Sequence, residues 1–327
     1  MKFLDKLNLR RFAKVAAVAA VSGTLFFGGT ATVSADSAGM QAFREAYLGQ
    51  RADVRIVHQD LTLISPNFHL DVDSKAQVNA QGIFVMGGNL SWTYTNLKRN
   101  YSTNNEIPFF IQQDGNSEMK LYVKRLGRWS YMQLPGLPAG IATLWKSNDS
   151  SILRNNLDAV KDVEVIKDNA DMRVMKVTLD GQKIAVALEK QAEASFAKIT
   201  DKNSLAQQRE IFTRWMTAIR ANDITFNWTV NKPDWDTVTA AFDLTDIMHA
   251  YARYVLDESA AGKITLTDEE RDLLDAMGYY AELKSYTTYI SPKNEPALDM
   301  PADLVGAPEN DNSLNDIFYE MTTVVQR

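Results

Sequence analysis

Between Asn67 and Asn79 the chain alternates with a period of two. Phe68, Leu70, Val72, Ala76 and Val78 take one set of positions, and His69, Asp71, Asp73, Lys75 and Gln77 the other. Ser74 is the one break in the apolar row. One oily and one wet face predict a half-buried strand of an antiparallel sheet. The pattern recurs in Phe84, Met86, Leu90, Trp92 and Tyr94, on a long strand whose Gly87-Gly88 pair suits a bend or bulge. Ile107, Phe109 and Ile111 make another, followed by an Asp114-Gly115 hairpin turn. The returning strand places Met119, Leu121 and Val123 inward and Glu118, Lys120, Tyr122 and Lys124 outward. Gly127 turns it into Arg128–Leu134, and Pro135 and Pro138 end an antiparallel meander.

Elsewhere the period is helical. Met40, Phe43 and Tyr47 predict a helix over Ala38–Leu48. Ile152, Leu153, Leu157 and Val160, after the capping candidates Asp149 and Ser150, predict a helical insert. Two strands then flank Asp168–Asp171, the second from Met172 to Leu179, and residues 183–198 and 204–220 are helical. In the latter Ile211, Trp215 and Ile219 form one stripe. Ile224, Phe226, Trp228 and Val230 alternate on a strand that returns, after Pro233, through Val238, Ala240, Phe242 and Leu244. Asp246–Leu256 forms a helix, and Thr267-Asp268-Glu269-Glu270 is a capping box that opens another through Met277. Ser285–Ile290 is a last strand, and the tail from Pro292 is polar and loosely patterned. The sum is an α+β chain with roughly nine or ten antiparallel strands. No Gly/Pro/Ser linker divides it, so residues 36–327 are expected to form one domain with a loosely structured C-terminal tail. A sheet this large with one apolar face curls, and helices cover its concave side.

The first 35 residues belong to a different grammar. Lys2, Lys6, Arg10, Arg11 and Lys14 precede an apolar stretch from Val15 to Phe27, and Val33-Ser34-Ala35 supplies small residues for cleavage. This is the order of a secretory signal peptide. The competing reading, an uncleaved anchor, needs about 20 apolar residues, and Ser22, Gly23 and Thr24 interrupt a shorter run. Arg10-Arg11 also fits twin-arginine export, although an isolated pair in a basic leader is ordinary charge. The expected destination is the periplasm, the cell envelope or the medium, with no transmembrane segment after cleavage.

Removing the leader takes Lys plus Arg from 35 to 30 and Asp plus Glu from 41 to 40, leaving a net charge of −10. That balance disfavours nucleic acid and electrostatic adsorption to anionic lipid. With no cysteine there is neither a disulfide framework nor a thiol for lipid anchoring. His58, His69 and His249 have no histidine or cysteine partner at i+3 or i+4, which argues against a zinc site. Gly87-Gly88 and Gly136–Gly140 lack the Lys and Ser/Thr of a phosphate loop, and no Gly-x-Ser-x-Gly elbow occurs. Asp71 and Asp73 share a strand face but read as solvated charges, and Asp168–Asp171 lacks calcium-loop spacing. No catalytic residue, metal or cofactor is expected. What remains is the apolar face: Phe84, Met86, Leu90, Trp92, Tyr94, Met119, Leu121, Phe226 and Trp228, with Met175 beside them. Large soft side chains on a curled sheet either pack against helices or line a cavity for an acyl chain.

Four features resemble the LolA/LppX-type envelope proteins. A signal peptide leads directly into a helix and long alternating strands. Leu-Tyr-Val-Lys-Arg-Leu-Gly-Arg-Trp-Ser-Tyr-Met at 121–132 is similar to the Tyr-x-Lys … Trp hairpin of that family. The late strand pair 223–244 ends in Asp243-Leu244-Thr245, and Ala297-Leu298-Asp299-Met300-Pro301-Ala302-Asp303 resembles the strand-then-Pro ending. The chain departs from many relatives in lacking the lipobox cysteine. The resemblance implies an unclosed antiparallel half-barrel with helices over its concave face. It also implies a non-enzymatic binding protein for a lipid or a lipoprotein's acyl chains. The rival reading is an envelope sensor or interaction module on the same scaffold, with a protein partner and no lipid.

The leader yields the first test. Cleavage after Ala35 gives a mature chain that begins at Asp36, which N-terminal sequencing of protein from the envelope or medium will detect. Intact Met1 in a membrane fraction would overturn the cleavage.

Overall fold

The computed structural model describes residues 37–49, 56–66, 68–78, 83–96, 101–113, 119–134, 158–197, 202–290 and 295–310. The signal sequence, the Asp114-Gly115 turn, Gly136–Gly140 and residues 149–157 of the expected helical insert lie outside them. Alternation becomes an eleven-stranded antiparallel sheet in which every strand pairs in the order β6-β5-β4-β3-β2-β1-β11-β10-β9-β8-β7. The strands are β1 (Ile56–Ser65), β2 (Phe68–Val78), β3 (Phe84–Asn96), β4 (Tyr101–Gln113), β5 (Met119–Arg125) and β6 (Arg128–Leu134). After them come β7 (Val160–Asp168), β8 (Met172–Leu179), β9 (Ile224–Asn231), β10 (Thr237–Asp243) and β11 (Glu282–Ile290). The sheet does not close, and helices cover one face of it. These are α1 (Ala38–Gly49), α2 (Gly181–Phe196), α3 (Lys202–Arg220), α4 (Thr245–Ala260) and α5 (Asp268–Tyr280). The α+β half-barrel expected from the sequence is the fold.

Local chemistry sets the helix ends. Ser37 Oγ accepts from Met40 N–H at 3.2 Å to start α1. Asp180 Oδ1 accepts from the N–H groups of Gln182 and Lys183, at 2.9 and 3.1 Å, to start α2. The capping box of α5 is complete: Thr267 Oγ1 accepts from Glu270 N–H and the Glu270 carboxylate accepts from Thr267 N–H. Between β5 and β6, Leu126 (φ 49°) and Gly127 (φ 76°) are both left-handed. That is the mirror-image turn of a tight hairpin, with glycine at its second position.

Several details differ from the sequence reading. A strand absent from it, β1, lies in the middle of the sheet. Val160 opens β7 instead of closing a helix. Gly87-Gly88 makes no bulge, because β3 keeps an unbroken register with β2 and β4. The glycine permits close approach instead, since a Cβ on Gly88 would fall 2.0 Å from the Asp73 carbonyl oxygen. Val238 turns outward because a register shift between Thr237 and Thr239 reverses the parity there.

The outer face is not uniformly wet. Val85, Phe110, Tyr122 and Trp129 form a second apolar cluster with Leu304, and Leu298 packs against it. Tyr122, expected in solvent, is buried by this cluster. The covering segment is 295–310. Lys75 reaches Glu295 at 2.8 Å and the Pro296 carbonyl at 2.7 Å, and His58 Nε2 meets Glu295 at 2.8 Å. Gln77 Nε2 donates to the Leu298 carbonyl at 3.1 Å, and Lys124 pairs with Asp303 at 2.7 Å. At the end of the segment the Tyr131 N–H donates to the Pro308 carbonyl at 3.0 Å, and Asn310 N–H donates to the Tyr131 carbonyl at 2.7 Å.

Lys75 first, and then the hydrogen bond from His58, hold the Glu295 carboxyl below the usual range. A group lowered in this way stabilises docking fully above the ordinary carboxylate range and loses that contribution as pH falls through its lowered value. Acidification from about pH 7 to about pH 3 should therefore loosen the segment. In methyl NMR spectra the Leu298 and Leu304 signals should move toward random-coil positions before those of Leu61 and Leu63. Glu295→Gln should weaken that pH dependence at Leu298, and the part that remains at Leu304 belongs to Asp303, whose carboxyl Lys124 holds below its usual range. Simultaneous movement of all four residues in both chains would overturn the assignment.

Candidate concave-face binding site

Parity decides which side chains meet the helices. On β3, Phe84, Met86, Leu90 and Trp92 face inward; Phe84, Met86 and Trp92 are buried and Leu90 is half-buried against the same core. The Tyr94 side chain lies outside the described residues, although its backbone pairs with Phe68. Met119 and Leu121 on β5 are buried in that core too. Register ties these strands into rows across the face. Ala76 stands opposite Met86, Met86 opposite Ile111, Ile111 opposite Leu121, and Leu121 opposite Met132. Leu70 stands opposite Trp92, and Leu90 lies between Val72 and Ile107. Three methionines, Met86, Met119 and Met132, therefore occupy one end of the concave face.

Phe226 and Trp228 sit at the other end, on β9, and belong to the same continuous core. Their surroundings are tightly engaged. Phe226 stacks on Phe242 at 4.7 Å between centroids. Trp228 lies 5.1 Å from Phe43 and 6.3 Å from Tyr47, which reach it from α1. Its Nε1–H donates to Thr237 Oγ1 at 3.2 Å. Burial pushes the Tyr47 phenol far above its ordinary value, so it stays neutral. This end is an aromatic cluster that docks α1 onto the sheet.

Sequence reasoning passed over Arg173, a buried cation on the inward face of β8. It donates to the Ala42 carbonyl at 2.8 Å and to Glu45 at 2.9 Å, pairs with Asp168 at 3.0 Å, and stacks over the Trp235 ring at 4.8 Å. Lys232 and then Arg173 hold the Asp168 carboxyl below its usual range. The arrangement fastens α1 to the β7–β8 edge, and its charges are matched. Gln59, Ser74, Ser285 and Thr287 are also buried on the inward face, along β1, β2 and β11. Isolated polar residues in an apolar row carry no periodic signal, and only strand register brings them together.

Among the described residues no group of three or more His, Cys, Asp or Glu could hold a metal ion. No described helix is long and apolar enough to cross a membrane.

Solved structures similar to this chain include two of named kind. One is LprF from Mycobacterium bovis, at 12% identity and a TM-score of 0.39, over 83% of this chain and 99% of that one. The other is a LolA superfamily protein from Nitrosomonas europaea, at 11% identity and a TM-score of 0.18, over 63% of this chain and 72% of that one. Likeness at this level assigns no ligand. No family model matches the sequence, and no curated protein matches it.

The core under the concave face is thus rich in methionine at the β3–β6 end and forms a fixed aromatic cluster at the β8–β10 end. Methionine is unbranched and polarizable, so the first end can adapt to an inserted chain in a way the second cannot.

Proposed function

We propose that the mature chain is an exported, non-enzymatic carrier that holds a lipid, or a lipoprotein's acyl chain, between sheet and helices. The observation that supports this most is the β3–β6 end of the concave face. There Phe84, Met86, Trp92, Met119 and Leu121 present one continuous apolar surface on an unclosed sheet. Such lining, with few polar groups, suits an apolar ligand. The sequence resemblance to the LolA/LppX-type proteins points the same way. An envelope interaction module is the second reading, and it is favoured by the close ring packing of Phe43 on Trp228 and of Phe242 on Phe226, which is that of a filled core.

Native mass spectrometry of the mature protein with lipid extraction tests the carrier reading directly. Added bulk then separates the two readings. Met86→Phe and Leu121→Trp should leave stability within about 1 kcal/mol if an acyl chain occupies this end, while weakening lipid binding. If the end is filled by side chains, the same substitutions overpack it at a cost of about 1–3 kcal/mol. In that case the parent protein releases no lipid, and the interaction module stands.

A further inference from the structure

A polar band crosses the middle of the concave face. Gln59 on β1 stands opposite Thr287 on β11 and opposite Ser74 on β2, and Ser74 stands opposite Gly88 on β3. Ser285 is the adjacent inward position on β11. These residues share strand parity with Leu61, Leu63, Val72 and Leu283, all in the main core, so their side chains face the helix layer.

Their hydrogen-bonding capacity is only partly used. Gln59 Nε2 donates to Ser285 Oγ at 3.3 Å, and Ser74 Oγ donates to the Gln59 carbonyl at 3.3 Å. Gln59 Oε1 and Thr287 Oγ1 have no hydrogen-bond partner. Gln59 is 1% exposed and Thr287 0%. A buried polar group left unpaired loses its hydration with no compensating hydrogen bond, and here two stand on neighbouring strands. Valine or leucine would serve the strand equally well.

We propose that Gln59 and Thr287 form a polar subsite for an uncharged lipid bearing both an ester and a free hydroxyl, the chemistry of a diacylglycerol. The Thr287 hydroxyl donates to the ester carbonyl oxygen, and Gln59 Oε1 accepts from the ligand's hydroxyl. Both unpaired atoms are then satisfied by one ligand. The band carries no positive charge to hold a carboxylate, because His58 and Lys75 lie on the opposite face against Glu295. A neutral head therefore fits better than a fatty-acid anion. This inference rests on the carrier reading and names its ligand class.

The test compares dioleoylglycerol with diphenylhexatriene, a hydrocarbon without polar atoms, on the mature full chain. Thr287→Val keeps shape and volume, and Gln59→Leu removes the amide. Each should weaken dioleoylglycerol binding about ten-fold and leave diphenylhexatriene binding unchanged. Thermal melting shows whether each variant is folded, and Thr287→Val serves alone if Gln59→Leu is not. Equal effects on both probes, no effect on either, or a wild type that takes only the hydrocarbon would overturn the subsite and leave the carrier standing. A wild type that binds neither probe overturns the carrier, and the subsite with it.

Discussion

The pairing of β1 with β11 holds this architecture together. Strands β1–β6 form one meander and β7–β10 another, and each alone would end in an unpaired edge. The seam joins them through residues as far apart as Gln59 and Ser285, 226 positions along the chain. Its register is strict. A slip of one residue would turn Leu283 outward, bring Glu282 into the core and strand Leu61 and Leu63 against polar neighbours. The entropy of closing so long a loop grows only slowly with its length, so the pairing is slow to form more than it is weak. Helices α4 and α5 lie between β10 and β11 in sequence and rest on β11 and β1, so they cover the seam they help to create.

What the sequence could reveal follows from how the elements are stabilised. Strands whose inward row is almost wholly apolar, such as β2, β3, β5 and β9, announce themselves because burial demands a period of two. The capping box of α5 is equally legible, since it is a local contract between Thr267 and Glu270. Strand β1 is not legible. Gln59 and Ser65 interrupt its inward row, while Ile56 and Ile64 stand on its outward one. The same interruptions make it the seam, because its polar residues meet those of β2 and β11 across the strands. The apolar members of the candidate site can be read from parity alone. Gln59, Thr287 and Arg173 cannot, since their significance lies in long-range register.

The outer face shows the limits of a one-sided view of the sheet. Over β3–β6 the residues Val85, Phe110, Tyr122 and Trp129 are buried under Leu298 and Leu304, so these strands are apolar on both sides. The segment that covers them has no periodicity of its own. It is held by charges at intervals, Glu295 on Lys75 and Asp303 on Lys124, with backbone pairing to Tyr131 at its end. Point attachments of this kind leave little trace in hydropathy, since a tail that docks by side-chain charge resembles one that stays in solvent.

The concave face then divides by the mechanical character of its side chains. Around Trp228 the rings of Phe43, Tyr47, Phe226 and Phe242 are interlocked, and Arg173 ties α1 to the same region. Displacing a ring here breaks its contacts with the others, and for Trp228 the hydrogen bond to Thr237 as well, so this end resists insertion. Around Met86, Met119 and Met132 the side chains have three rotatable bonds each and can be repositioned at little strain. Between the two ends runs the polar band of Gln59, Ser74 and Thr287. An elongated apolar guest bearing one polar group would place its chain toward the methionines and its polar group at the seam. The rigid end would fix the frame against which that orientation is defined.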